Sequence, residues 1–226
     1  MLYRGMKIFL GPVVQAVFHP SVSGREHVPT VGPAILAGNH VSFSDHFFVP
    51  HVLHRKVIYL AKAQYFTGQG FVGTVTASLF NALGQKPVDR DSGRAGLAAI
   101  ATAGEVLTEG NLLGIYPEGT RSPDGRLYRG RVGVARLWVE SGAPLLPCAV
   151  IGSFEVQPPG QKMPKKGPVA VKFGPPMDLA KYDGRKRDAR LYREITDDIM
   201  RAIQELSGQE YVNEYATDVK EQLAAG

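Results

Sequence analysis

Five short apolar runs punctuate the chain at Ala34 to Gly38, Val57 to Ala61, Leu112 to Tyr116, Leu145 to Ile151 and Val169 to Phe173. Continuous apolar runs of this length read as strands buried on both faces, as in a parallel sheet. Helical stretches lie between them. In Ser92 to Glu109, Leu97, Ile100 and Leu107 share a face, Ser92 is a candidate N-cap and Gly110 follows the end. Gly130 to Glu140 and Arg187 to Leu206 also read as helices, the second carrying Leu191, Ile195, Ile199 and Ile203 at spacings of four. Parallel strands need long crossovers, and helices supply them, so the alternation predicts an α/β fold with a mostly parallel central sheet flanked by helices. At 226 residues, with no linker or internal repeat, the chain reads as one main domain, residues 24–208, between an N-terminal apolar segment, residues 1–23, and a helical tail, residues 209–226.

Two of the runs end in polar turns rich in chemistry. Asn39-His40-Val41-Ser42-Phe43-Ser44-Asp45 follows the first, and Tyr116-Pro117-Glu118-Gly119-Thr120-Arg121-Ser122 closes the third. A strand ending at Gly38-Asn39 presents His40 at the sheet edge and lets Asp45, early in the next helix, fold back toward it. A carboxylate on one ring nitrogen fixes the tautomer and stabilises the imidazolium formed when the other nitrogen takes a proton. The pair lacks a nucleophile on the protein. The Gly-x-Ser-x-Gly elbow of serine hydrolases is absent from the sequence, so Ser42 and Ser44 read as caps of the helix beginning near Asp45. The attacking group is then a substrate hydroxyl.

NHVSFSD and YPEGTRS, in that order, resemble the glycerolipid acyltransferases typified by 1-acylglycerol-3-phosphate acyltransferase. Two further blocks agree: Gly84 to Arg90 matches a Gly followed six residues later by Arg, and Ala143 to Pro147 a Pro-bearing apolar run. Tyr116 stands where Phe is common, and Lys86-Pro87 replace an apolar pair. The resemblance implies the fold of these enzymes and transfer of a fatty acyl group from acyl-CoA or acyl carrier protein to the free hydroxyl of lysophosphatidate, giving phosphatidate. Glycerol 3-phosphate or another lysophospholipid is the alternative acceptor. A thioester hydrolase using the same pair on water and a non-catalytic peripheral lipid-binding protein are rivals.

His40 and Asp45 are the candidate catalytic residues. The candidate substrate-binding residues are Lys62, Arg90, Glu118, Gly119, Thr120 and Arg121. Arg90 and Arg121 each follow a polar turn, and two guanidinium forks grip a phosphate monoester bidentately. Lys62 resembles the family's lysine after the first motif. Glu118, which a phosphate dianion repels, is assigned to positioning Arg121 or to the acceptor's glycerol, and Gly119-Thr120 to a nest of backbone amides for an oxyanion or a phosphate. No cofactor is expected beyond the acyl-CoA or acyl carrier protein co-substrate. No metal site is expected either, because His46, His51 and His54 lack a metalloprotease or zinc-finger context.

The net charge of +5 is concentrated. Between Gly160 and Arg190 nine basic residues face Asp178, Asp183 and Asp188, a patch suited to anionic headgroups, coenzyme A phosphates or an acidic carrier protein. It lacks the aromatic interleaving of a nucleic-acid platform, so no nucleic-acid partner is expected. The lone Cys148 rules out an internal disulfide and fits a reduced compartment. Met1 to Phe18 carries only Arg4 and Lys7 among apolar residues and reads as a membrane-lying helix, with docking on the core as the alternative. No stretch reaches the roughly 20 apolar residues of a spanning helix. The expected location is the cytoplasmic face of a membrane, peripherally bound. The uncharged segment 65–83 is a candidate wall for an acyl chain.

Overall fold

The computed structural model describes residues 11–63, 66–67, 73–74, 77–78, 80, 84–88 and 95–225. A seven-stranded sheet forms from β1 (Ser21–Ser23), β2 (Ala34–Gly38), β3 (Val57–Lys62), β4 (Lys86–Val88), β5 (Leu112–Ile115), β7 (Leu145–Ile151) and β8 (Ala170–Phe173), in the order β1-β8-β7-β2-β5-β3-β4. From β7 to β4 all neighbours run parallel, and only the β7–β8 pairing is antiparallel. The five strands expected from apolar runs are all present, two with the same bounds and three within a residue. Strands β1 and β4 join the edges. The remaining short pair, β6 (Leu127–Tyr128) and β9 (Tyr211–Val212), stands apart as a parallel ladder.

Strand β2 is buried throughout and shows why a continuous apolar run was needed. Successive side chains point to opposite faces. Ala34 and Leu36 enter one core cluster with Phe48, Val49, Tyr59 and Leu146, while Ile35 and Ala37 enter another with Trp138, Ile195 and Ile199. Helix α2 (Asp45–Val52) covers the first face. Helices α3 (Ala95–Thr108), α4 (Gly133–Ser141) and α6 (Ala189–Ser207) cover the second; a short α5 (Ser153–Val156) follows β7. Helix α6 keeps its expected stripe, with Leu191, Ile195, Ile199 and Ile203 all buried. It starts where Asp188 accepts the Leu191 N–H at 3.0 Å, and Gly208 ends it in the left-handed region. Trp138 on α4 is fully buried and packs edge-on against Tyr182; removing such a ring costs about 3 to 5 kcal/mol.

At the N-terminus residues 11–18 form helix α1. Val14 and Phe18 pack on the α2 side of the core, the Phe18 ring edge-on to Phe48 at 5.3 Å, while Val13 is exposed. This part of the segment docks on the domain, and residues 1–10 lie outside the described residues. Ser21–Ser23, counted with the N-terminal segment from sequence, is sheet edge. The tail folds as β9 and then α7 (Ala216–Ala225). Among the described residues no helix is long and apolar enough to cross a membrane. The basic patch is partly neutralised: Arg185 meets Glu194 through two bonds of 2.7 Å, and Lys181 meets Asp198. Most of the uncharged segment 65–83 and the first residues expected in the Ser92 helix lie outside the described residues.

Candidate active site

Because β2, β3, β4 and β5 are parallel, their carboxyl ends share one edge, where open α/β sheets take their ligands. The two polar turns meet there. Asn39 ties the exit of β2 to β7: its side chain accepts the Val150 N–H at 2.8 Å and donates to Val150 O at 3.0 Å and Gln209 Oε1 at 2.7 Å.

His40 then turns its ring onto Asp45. Nδ1 lies 2.9 Å from Asp45 Oδ2, which also accepts the N–H groups of Val41 at 3.0 Å and Ser42 at 2.9 Å. Ser153 donates its hydroxyl to Oδ1 at 2.6 Å. Four donors hold a fully buried carboxylate in place. With Nδ1 donating its hydrogen to Asp45, Nε2 keeps a lone pair for a proton. The imidazole lies flat on the Tyr116 ring, 3.9 Å between centroids and 8° from parallel, and Tyr59 stacks behind Tyr116 at 5.3 Å. Gly114 makes room for this stack, since a Cβ there would lie 2.2 Å from the Tyr59 ring. His46 closes it edge-on, 5.2 Å from His40 and from Tyr116.

Burial pushes His40 below the ordinary imidazole value of 6.5, against Asp45, which favours the charged ring; Arg121 and Lys220 add to the lowering. The histidine is therefore neutral, and competent to take a proton, around pH 7.

The hydroxyls of Ser42 and Ser44 do not cap α2 as the sequence suggested. Ser42 donates to Gln157 O at 2.9 Å and accepts the Ser44 N–H at 3.1 Å, Ser44 donates to Gln157 Oε1, and the first amides of the helix bond the carbonyls of Ser42, Phe43 and Ser44. Cys148 is buried, and burial raises its thiol far above the thiolate range.

Glu118 sits elsewhere than expected. It is fully buried, with Oε2 accepting the His40 N–H at 2.9 Å and Oε1 the Tyr128 N–H at 2.9 Å, so both oxygens serve the backbone and neither bonds Arg121. Burial pushes its carboxyl up to about 8. The next turn is tight: Gly119 adopts φ 75° and gives its N–H to Tyr116 O at 3.0 Å, which takes one amide out of the expected nest. Only beyond it, at Thr120 and Arg121, does the nest keep backbone donors without an intramolecular acceptor among the described residues. Ser122 N donates to His40 O at 2.7 Å, so the Arg121 turn is stitched to the histidine turn.

Arg121 is partly buried beside this seam and makes no hydrogen bond or ion pair among the described residues. Lys62 is the last residue of β3, in register with Val88 of β4. Arg90 lies outside the described residues. Ser153, Gln157, Tyr59 and Lys220 were not found from sequence; each reaches the site from a distant segment, and no local motif marks them.

A family model described as Acyltransferase matches residues 19–151. The 1-acyl-sn-glycerol-3-phosphate acyltransferase of Limnanthes alba is 30% identical over 168 residues, 74% of this chain and 57% of that protein, so the chain spans little more than half of that relative. The enzyme of the same name from Bacillus subtilis is 29% identical over 191 residues, 82% of this chain and 86% of that one. Among solved structures, the LPA acyltransferase PlsC from Thermotoga maritima superimposes with a TM-score of 0.67 at 21% identity, covering 90% of this chain and 79% of that one. That likeness carries the fold: the mostly parallel sheet flanked by helices.

Proposed function

Since the chain belongs to the acyltransferase family, we propose that it moves a fatty acyl group from a thioester, acyl-CoA or acyl carrier protein, to the free hydroxyl of lysophosphatidate, giving phosphatidate. The observation that carries this reading is the His40–Asp45 pair, with Nδ1 held at 2.9 Å and the hydroxyls of Ser42, Ser44 and Ser153 given to Gln157 and Asp45. Nε2 of His40 takes the acceptor's hydroxyl proton as the oxygen attacks the thioester carbonyl. The tetrahedral intermediate collapses, the C–S bond breaks, and the imidazolium returns the proton to the departing thiolate. Asp45 holds the tautomer throughout. The thioester is already activated, so the reaction needs no metal or further cofactor. Arg121, with Arg90 and Lys62, is assigned to the acceptor's phosphate, and the backbone amides of Thr120 and Arg121 to the developing oxyanion. The names of the relatives support this acceptor.

Incubating the purified protein with acyl-CoA and acyl carrier protein donors against a panel of lysolipids, with products identified by mass, tests the reading. Phosphatidate formed in step with released thiol is the expected result. Thiol release at the same rate without acceptor makes the protein a hydrolase and overturns it.

We further place the enzyme on the cytoplasmic face of a membrane, held by residues 1–10, the exposed side of α1 and the basic segment. Deleting residues 1–10 should cut sedimentation with anionic liposomes; unchanged sedimentation removes the anchor from this segment.

A further inference from the structure

Helix α7 brings a cation to the site that no local motif announces. Lys220 donates from Nζ to Thr120 Oγ1 at 2.8 Å, next to Arg121. Both charges reach His40 and oppose its protonation, and Lys220 is itself pushed down, by burial first and by Arg121 second.

Two like charges held side by side cost free energy unless something offsets them. Elsewhere the chain supplies carboxylates: Arg126 has Asp124, Arg136 has Glu140, Arg193 has Asp197 and Arg185 has Glu194. Among the described residues neither Arg121 nor Lys220 has one. Glu118 is the nearby acid, and its oxygens are taken by the N–H groups of His40 and Tyr128.

Lys220 is also held in place. Arg131 donates to Thr217 Oγ1 at 2.9 Å, the guanidinium groups of Arg131 and Arg129 lie 4.9 and 5.4 Å from the Tyr215 ring centre, and Arg129 N bonds Glu214 O at 2.9 Å. With one ammonium hydrogen on Thr120, two remain, along with the Thr120 hydroxyl hydrogen and the Arg121 fork.

We propose that Lys220 and Arg121 form a two-cation clamp for a phosphomonoester, with the C-terminal helix supplying half of the site, and that Lys220 sets the preference for a phosphate-bearing acceptor. This rests on the acceptor reading above. The phosphate has two sources, the acceptor's terminal phosphate and the 3′-phosphate of coenzyme A, and the test separates them.

The full-length protein is compared with Lys220→Gln and Lys220→Arg. For Lys220→Gln, KM for lysophosphatidate should rise about 10-fold while kcat holds. Its preference for lysophosphatidate over monoacylglycerol should narrow by the same factor, and Lys220→Arg should restore most of it. Calorimetric binding of glycerol 3-phosphate should weaken in parallel, without any need for turnover. An unchanged KM and unchanged glycerol 3-phosphate affinity overturn the clamp. A rise in KM for acyl-CoA alone overturns the acceptor assignment in favour of the donor. Equal losses on both acceptors, with a lowered melting temperature, make Lys220 a structural prop and also overturn it. A wild-type protein that binds glycerol 3-phosphate through Lys220 yet makes no phosphatidate supports the clamp and refutes the proposed reaction instead.

Discussion

The inner and outer ends of this site are built in opposite ways. Inside, Asp45 accepts four hydrogen bonds, His40 is held through its ring and both backbone polar groups, and Ser42, Ser44 and Ser153 all have partners. Outside, Arg121 has no polar partner among the described residues and Lys220 has a single hydroxyl. A base has to be aimed before the substrate arrives, so its hydrogen bonds are complete in the empty protein. On the proposed reading the outer end is an anion site, which stays incomplete until an anion fills it.

Substitutions at the two ends should therefore fail differently. The largest effect is expected at the inner end: His40→Ala should remove about 10²- to 10⁴-fold of kcat, the span of a general base, with the circular dichroism of a folded protein. A folded variant with wild-type turnover would remove His40 from the chemistry. At the outer end, Arg121→Gln should cost about 1.5 to 3 kcal/mol of acceptor recognition, roughly 10- to 100-fold in kcat/KM on lysophosphatidate. It should leave the urea midpoint where it was, because no hydrogen bond or ion pair among the described residues is lost. A shifted midpoint would mean that the outer end is structural after all.

Asp45→Asn gives the converse. Asn keeps one oxygen for three N–H groups but offers them a neutral acceptor, which should lower stability by about 1 to 3 kcal/mol, seen as a lower urea midpoint at constant slope. Unchanged stability would show that the inner bonds are weaker than their geometry suggests.

The smallest effect is on pH. On the proposed reading neutral His40 is the base, and its pKa lies below 6.5, so kcat/KM should fall on the acid side with a midpoint below 6.5. Arg121→Gln removes one of the cations that disfavour the imidazolium, so the midpoint should move up. The same depressed value means that His40's contribution to stability is present above pH 6.5 and is lost as pH falls through the folded pKa. A midpoint that moves down in the variant would break the electrostatic link between the two ends.

The inner end was legible in the sequence and the outer end only half so, for a physical reason. His40 and Asp45 are five residues apart, and a short apolar run fixes the edge at which they turn; β2 and β7 were bounded correctly because both are buried on two faces. The elements β1, β6 and β9, two or three residues each, are too short to leave a pattern. Glu118 was assigned to Arg121 or to the acceptor's glycerol, whereas the fold gives its two oxygens to the N–H groups of His40 and Tyr128, which no local pattern announces. Lys220 sits on a helix whose one buried residue is Ala216, so nothing local announces that its ammonium group lies against Thr120, 100 positions earlier.

Glu118 has a consequence for when the protein becomes active during its own synthesis. Its two oxygens join the backbone of His40, 78 residues before it, to that of Tyr128, 10 residues after it. Contacts of long sequence separation close late in folding. A chain still emerging from the ribosome, with the first motif made and the second not yet translated, holds a histidine and an aspartate but no strut behind them. Fixing of the turn that presents His40 therefore waits on the second motif, because its N–H has Glu118 as acceptor.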